Sequence, residues 1–146
     1  MSNFGAVGTI LNQKGRQVYT ISPDATVFEA IQLMADKNIG ALMVTSEEKL
    51  LGVISERDYT RKVALRGRSS RETKVREIIS SPVVSATPDH SVEECMRLMT
   101  TNRVRHLPVL CEGTLVGIVS IGDLVNWTIS AQDATIEQLK SYIVGL

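Results

Sequence analysis

Two short stretches of this chain combine residue types that could hold a ligand: Ser55-Glu-Arg-Asp58 and Ser120-Ile-Gly-Asp123. Each follows an apolar, β-rich run broken by one glycine, Gly52 in the first and Gly117 in the second. A Ser followed three residues later by Asp, at the start of a helix, has two uses. The pair can cap the helix, with the carboxylate near the positive end of its dipole. The carboxylate is also a fixed two-oxygen acceptor, suited to the vicinal hydroxyls of a ribose, while the Ser hydroxyl and free helix N–H groups can meet phosphate. Both uses fit one backbone. Arg57 precedes Asp58 where the second stretch has Gly122, and its planar fork could reach a phosphate or stand as a surface cation. Two further loops matter. Asn102-Arg-Val-Arg-His106 carries Arg103, Arg105 and His106, all able to serve an anion, whereas Lys37-Asn-Ile-Gly-Ala41 offers nothing of the kind at Gly40 and Ala41. The plain alternative is that the two arginines are solvated and His106 is a half-buried hydrogen-bonder. The sequence order places the arginine–histidine loop with Asp123 and Arg57 with Asp58, so unequal clefts are expected, with Asp123 the first to consider.

Other chemistries fit less well. Ser120, His106 and Asp123 hold the ingredients of a nucleophilic triad, but no G-x-S-x-G elbow, GxGxxG or Walker lysine accompanies them, and the chain reads as non-enzymatic. Its two histidines have no Cys or Asp at zinc-ligand spacing. With 16 basic and 16 acidic residues in 146, the molecule has no overall bias toward nucleic acid or membrane. No apolar run approaches the length of a membrane span, and Met1–Gly5 has neither a basic start nor an apolar signal core. Cys95 and Cys111 lie in periodic apolar segments without CxxC spacing, and read as reduced core thiols of a cytoplasmic protein. Eight of the basic residues fall between Arg57 and Arg76, a stripe that could meet an acidic partner or nucleic acid. No aromatic residue interleaves it after Tyr59, so a solvated helix face and linker is the better account.

The elements that position these residues occur twice. From Val18 to Asp58 the chain matches Val83 to Asp123 at a constant offset of 65, without a gap and with 14 identities in 41 positions. Each copy opens with a β-rich run stopped by Pro-Asp, then a capping box, Thr26-x-x-Glu29 or Ser91-x-x-Glu94. Apolar residues then recur at helical spacing: Val27, Ala30, Ile31 and Met34, and Val92, Cys95, Met96 and Met99, the methionines reading as core. A hairpin follows, turning at Ser46-Glu-Glu-Lys49 in one copy and Glu112-Gly113-Thr114 in the other, with Gly113 and Glu48 suggesting different turns. Helix-like segments from Arg57 to about Leu65 and from Asp123 to about Ile129 close the units. Val7-Gly-Thr-Ile-Leu11 and Val75-Arg-Glu-Ile-Ile79 precede them at an offset of 68, with Lys14-Gly-Arg16 the extra loop. The chain therefore divides into a first repeat (7–65), a basic linker (66–74), a second repeat (75–129) and a C-terminal extension (130–146). In the last, Ile136, Leu139 and Ile143 mark one face of an added amphipathic helix.

Taken together and in order, Val-x-x-Ile-(Leu/Ile), Pro-Asp with its capping box, Arg105-His-Leu-Pro-Val109 and Gly-(Ile/Val)-(Val/Ile)-Ser-x-x-Asp resemble a tandem CBS-domain pair, over roughly residues 7 to 129. This is the regulatory module first named from cystathionine β-synthase. The resemblance implies an α/β fold of the α+β kind: two β-α-β-β-α units packed sheet to sheet about a pseudo-twofold axis. It implies binding of an adenosyl nucleotide (AMP, ADP, ATP, NAD(H) or S-adenosylmethionine) in the clefts between repeats, as a regulatory ligand and not a catalytic cofactor. It further implies a homodimer and an unidentified protein partner regulated in trans; the charge balance and the lack of a membrane-length apolar run, not the resemblance, speak against a membrane role. By the same resemblance Asp58 and Asp123 would take ribose, with Ser55 and Ser120 beside them. Ile39 and Val104 would face the adenine, Thr20 and Ser85 its edge, and Arg57, Arg103, Arg105 and His106 the phosphates, next to the small residues Gly40 and Ala41. The competing reading is a ligand-free dimerisation or interaction module that uses the basic linker.

Overall fold

A computed structural model describes residues 7–79 and 83–144, with side chains through residue 141. In chain order the elements are α1 (Val7–Lys14), β1 (Thr20–Ile21), α2 (Val27–Lys37), β2 (Ala41–Ser46), β3 (Lys49–Ser55), α3 (Glu56–Lys62), α4 (Val92–Asn102), β4 (His106–Cys111), β5 (Thr114–Ser120) and α5 (Ile121–Val144). Short 3-10 turns at Ala64–Arg66 and Val75–Glu77 flank the linker. Both capping boxes form as their residue types require, with Thr26 and Ser91 each accepting from the N–H three residues on and each Glu answering the cap's own N–H. One face of each helix is then buried, Val27, Ala30 and Met34 in α2 and Val92, Cys95 and Met99 in α4. Both helices end on a left-handed residue, Asn38 and Arg103, which turns the chain directly into β2 and β4.

The first sheet has order β1-β2-β3, with β1 parallel to β2 and β2 antiparallel to β3. The second has β4 and β5 in the matching antiparallel register, while the counterpart of β1 shrinks to a single parallel bridge between Ala86 and Val109. The expected strand from Val83 is therefore barely a strand. The hairpin turns, expected to differ, have the same geometry: Glu47 and Glu48 lie at φ 51° and 66°, Glu112 and Gly113 at 51° and 80°. Strand twist selects this turn regardless of residue, so Glu48 accepts a left-handed backbone that Gly113 adopts freely. Cys95 is buried, and burial, with the charge of Glu94, pushes its thiol up to about 11. Cys111 is exposed at the end of β4 and is not a core residue, a correction to the expectation. The helix expected to stop near Ile129 instead continues, because nothing between Ile121 and Val144 breaks it. Ile136 and Leu139 on it are exposed, and the Ile143 side chain lies outside the described residues.

The deepest packing crosses between repeats. Val7, Ile10 and Leu11 of α1 are buried in the core of the second repeat, with Cys95, Met99, Leu107, Val109, Val119 and Leu124. Val75 and Ile78 are buried in the core of the first, with Val27, Met34, Leu42, Val44 and Ile54. Backbone bonds repeat the exchange position for position. Val7 N–H donates to His90 C=O and Gly8 to Pro88, while Val75 donates to Ala25 and Arg76 to Pro23. The strand glycines make room for the visiting segments. A Cβ on Gly117 would stand 2.7 Å from Leu11 Cδ2, and one on Gly52 3.1 Å from Ile79 Cδ1. Leu11 is fully buried and has nowhere to retreat. Gly117→Ala is accordingly expected to cost about 1–3 kcal/mol, as overpacking does. Adding Leu11→Ala should return part of that cost, a favourable coupling that urea denaturation of the double-mutant cycle would measure.

Candidate functional site

The two Ser-x-x-Asp motifs sit where a strand runs without a loop into a helix, β3 into α3 and β5 into α5. Ser55 N–H donates to Asp58 Oδ2 at 2.9 Å, and Ser55 Oγ accepts from Asp58 N–H at 3.2 Å and donates to Oδ2 at 3.1 Å. Ser120 N–H reaches Asp123 Oδ2 at 2.8 Å, and Asp123 N–H reaches Ser120 Oγ at 3.1 Å. The capping use is thus realised in both copies. It holds each carboxylate in one orientation at the mouth of a cleft. The incoming loop is pinned to the same junction, with Glu56 N–H donating to Gly40 C=O at 3.1 Å and Ile121 N–H to Arg105 C=O at 2.9 Å.

The cleft at Asp58 is a single cavity of about 530 Å³, within the range of small-ligand sites. Its walls are Gly40, Val53, Ser55, Glu56, Arg57, Asp58, Arg61 and Lys62 from the first repeat, and Val83, Val84 and Asn102 through His106 from the second. This corrects the expected pairing. Arg103, Val104 and Arg105 line the cleft of Asp58, together with Arg57, and not a cleft built on their own repeat's Asp123, while His106 is shared by both. The physical reason is the twofold relation: each repeat's helix-capping motif faces the other repeat's loop. Five cationic side chains then stand against two carboxylates in one cavity. Lys62 Nζ lies 3.4 Å from Asp58 Oδ1, one helical turn away.

The cleft at Asp123 has Ile39, Gly40 and Ala41 of the first repeat in its wall, with Val18, Tyr19, Met43, Ile118, Ser120 and His106, in a chamber of about 320 Å³. A second chamber of about 430 Å³ lies between α1 and α5, lined by Ile10, Gln13, Asp123, Asn126 and Trp127. Lys14 borders both. Its ammonium is 2.6 Å from Asp123 Oδ2 and donates to Ile118 C=O at 3.1 Å. Thr20 and Ser85 are absent from the walls of these three cavities. Val18, Tyr19, Val83 and Val84, one or two residues earlier, line them instead.

The residues that sequence reasoning passed over divide by distance. Arg61 and Lys62 fall one turn after Arg57 and Asp58, and helical spacing alone would have placed them on the same face. Lys14 is 109 residues from Asp123, and no local pattern connects them.

His106 borders both clefts. Burial lowers its pKa below the ordinary imidazole value, and the charges of Lys14 and Arg105 add to the effect, against the pull of Asp123 and Asp58. Burial raises that of Asp123, but the hydrogen bonds from Lys14 and Ser120 N–H more than offset it, so its carboxyl sits below the usual range.

Two repeats that lend each other the opposing walls of two clefts define a duplicated α/β two-cleft module. The CBS domain family matches residues 9–65 and 75–130, and the chain belongs to that family. It is 36% identical over 148 residues to the mitochondrial CBS domain-containing protein CBSX3 of Arabidopsis thaliana, covering 95% of this chain and 72% of that one. A putative signal-transduction protein with CBS domains from Burkholderia ambifaria has the same fold, with TM-score 0.83 and 48% identity over 87% of this chain and 96% of that one. A hexameric CBS-CP12 protein from bloom-forming cyanobacteria shares it at TM-score 0.74 and 32% identity, over 82% of this chain and 70% of that one. Among the described residues no helix is long and apolar enough to cross a membrane, and no group of three metal-ligating side chains gathers.

Because His106 and Asp123 both titrate below their unfolded values, the unfolded chain binds more protons than the folded one as pH falls, and acid destabilises the fold. The His106 part is fully present above pH about 6.5, the unfolded value, and is lost as pH drops through the folded value. Urea midpoints are expected to fall between pH 7.5 and 5.5, and His106→Gln should flatten the fall in that window, leaving the Asp123 part below it.

Proposed function

We propose that this protein is a regulatory module that binds a phosphate-bearing adenosyl nucleotide in the cleft at Asp58 and signals its occupancy to a partner in trans. The observation that carries the reading is the combination of chemistries that lines that cleft. Val53, Val83, Val84 and Val104 offer apolar atoms for a flat base, Asp58 is an oriented two-oxygen acceptor for a diol, and Arg57, Arg61, Lys62, Arg103 and Arg105 supply charge for phosphates. The excess of cations favours AMP, ADP, ATP or NAD(H) over S-adenosylmethionine, whose sulfonium is positive. No catalysis is involved in this reading. The basic stretch gives less support to an acidic or nucleic-acid partner, because part of its charge is answered within the chain. Arg68 pairs with Glu77 at 2.6 Å, Arg76 pairs with Asp24, and Arg71 lies over the ring of Phe28 at 3.8 Å.

Nucleotide at a hundred times its dissociation constant should stabilise the fold by about 2.7 kcal/mol. Asp58→Asn keeps a capping side chain but loses the charged acceptor, and should weaken ADP by about tenfold or more in calorimetry. Equal affinity in the variant would remove Asp58 from the site, and a melting temperature unmoved by millimolar AMP, ADP, ATP and NAD(H) would end the ligand reading.

We also propose a homo-oligomer that pairs through α5. Val125, Ile129, Ile136 and Leu139 are all about half exposed and recur at spacings of four, seven and three, the seam of a coiled coil interrupted by Gln132. Ile129→Glu with Ile136→Glu is expected to give monomers in sedimentation. An unchanged assembly would place the interface elsewhere.

A further inference from the structure

The two clefts are related residue by residue at the offset of 65, and that relation exposes one difference that composition alone does not. In the Asp58 cleft, Val53, Ser55, Asp58, Arg61, Lys62, Val83 and Val84 border one continuous space. Their counterparts Ile118, Ser120, Asp123, Asn126, Trp127, Val18 and Tyr19 are shared between two separate chambers. The capping motif itself is split, with Ser120 on one side and Asp123 on the other. Lys14 is the side chain common to both chambers, and its ammonium spans Asp123 Oδ2 and Ile118 C=O.

We infer that Lys14 is an internal occupant of the Asp123 cleft, standing where the diol of a nucleotide would bind, and that it restricts the wild-type chain to one nucleotide. The inference rests on the reading of the clefts as nucleotide sites. Three observations carry it. A charge-assisted bond of 2.6 Å to a carboxylate is among the stronger hydrogen bonds, and a hydroxyl is a weaker competitor for the same oxygen. The ammonium is tethered, so it competes at a high effective concentration. The root of that tether is fixed: Lys14 ends α1, whose Val7, Ile10 and Leu11 are locked into the core of the second repeat, and Gly15, at φ 98°, bonds back to Leu11 C=O. The Asp58 cleft has a lysine too, but Lys62 comes from the same helix as the carboxylate, at 3.4 Å, and leaves the cavity in one piece.

The test is calorimetric titration of ADP into the full chain and into Lys14→Met, with Lys14→Gln as a second variant and melting curves to confirm that each is folded. One ADP per chain is expected for wild type and two for each Lys14 variant, the added site surviving Asp58→Asn in the double variant. Two ADP per wild-type chain, or one per chain in both Lys14 variants, would overturn the inference while leaving the Asp58 reading intact. No binding to wild type, with one site gained on substituting Lys14, would instead defeat the Asp58 reading and keep the inference. Absence of binding throughout would defeat both.

Discussion

Leu11 lies against the backbone of Gly117, and Ile79 against that of Gly52, each a residue from outside the hairpin it covers. A unit of some 65 residues buries too little apolar surface to be comfortably stable alone. Here each unit completes its core with a segment borrowed across the pseudo-twofold axis, so neither hairpin can take a strand side chain at the contact. Everything functional inherits this arrangement. The same crossing that seals the cores brings α1 alongside α5, and so delivers Lys14 to Asp123. The loops cross as well, so that each carboxylate meets a loop from the other repeat.

Much of this was legible in the chain. The duplication, both capping boxes, the helical faces of α2 and α4 and the paired hairpins follow from periodicity and capping chemistry, which act over a few residues. What was not legible depends on contacts at long range. The sequence order of Asp123 and the Arg103–His106 loop suggested a shared cleft, and the twofold exchange placed Arg103 and Arg105 with Asp58 instead, leaving only His106 of that loop in both walls. Cys111 obeys an apolar period yet ends on the exposed rim of β4, because a pattern identifies a face but not where a strand leaves the core. Glu48 shows the reverse case: local preference argued against a left-handed turn, and strand twist imposed it.

The clefts differ in electrostatics as well as in shape. One gathers five cations against two carboxylates, and the mutual repulsion of the cations in a half-enclosed space favours an anion between them. The other answers its carboxylate with one ammonium from inside the chain and is locally neutral at that point. His106 lies on the boundary between them, with its imidazole biased toward the neutral form, and senses charges on both sides.

The unbroken course of α5 has a mechanical meaning. Its first turn carries Asp123 and bonds Ser120 N–H, while its far end lies beyond the second repeat's core, past exposed Leu139. At 1.5 Å per residue its 24 residues form a rod about 36 Å long. A tilt of about 5° at the cleft end would move the distal tip by about 3 Å, by the same helix geometry. One unbroken helix thus joins a first turn that holds Asp123 and packs Leu124 into the second repeat's core to an exposed tip, and its length sets how far any tilt is magnified.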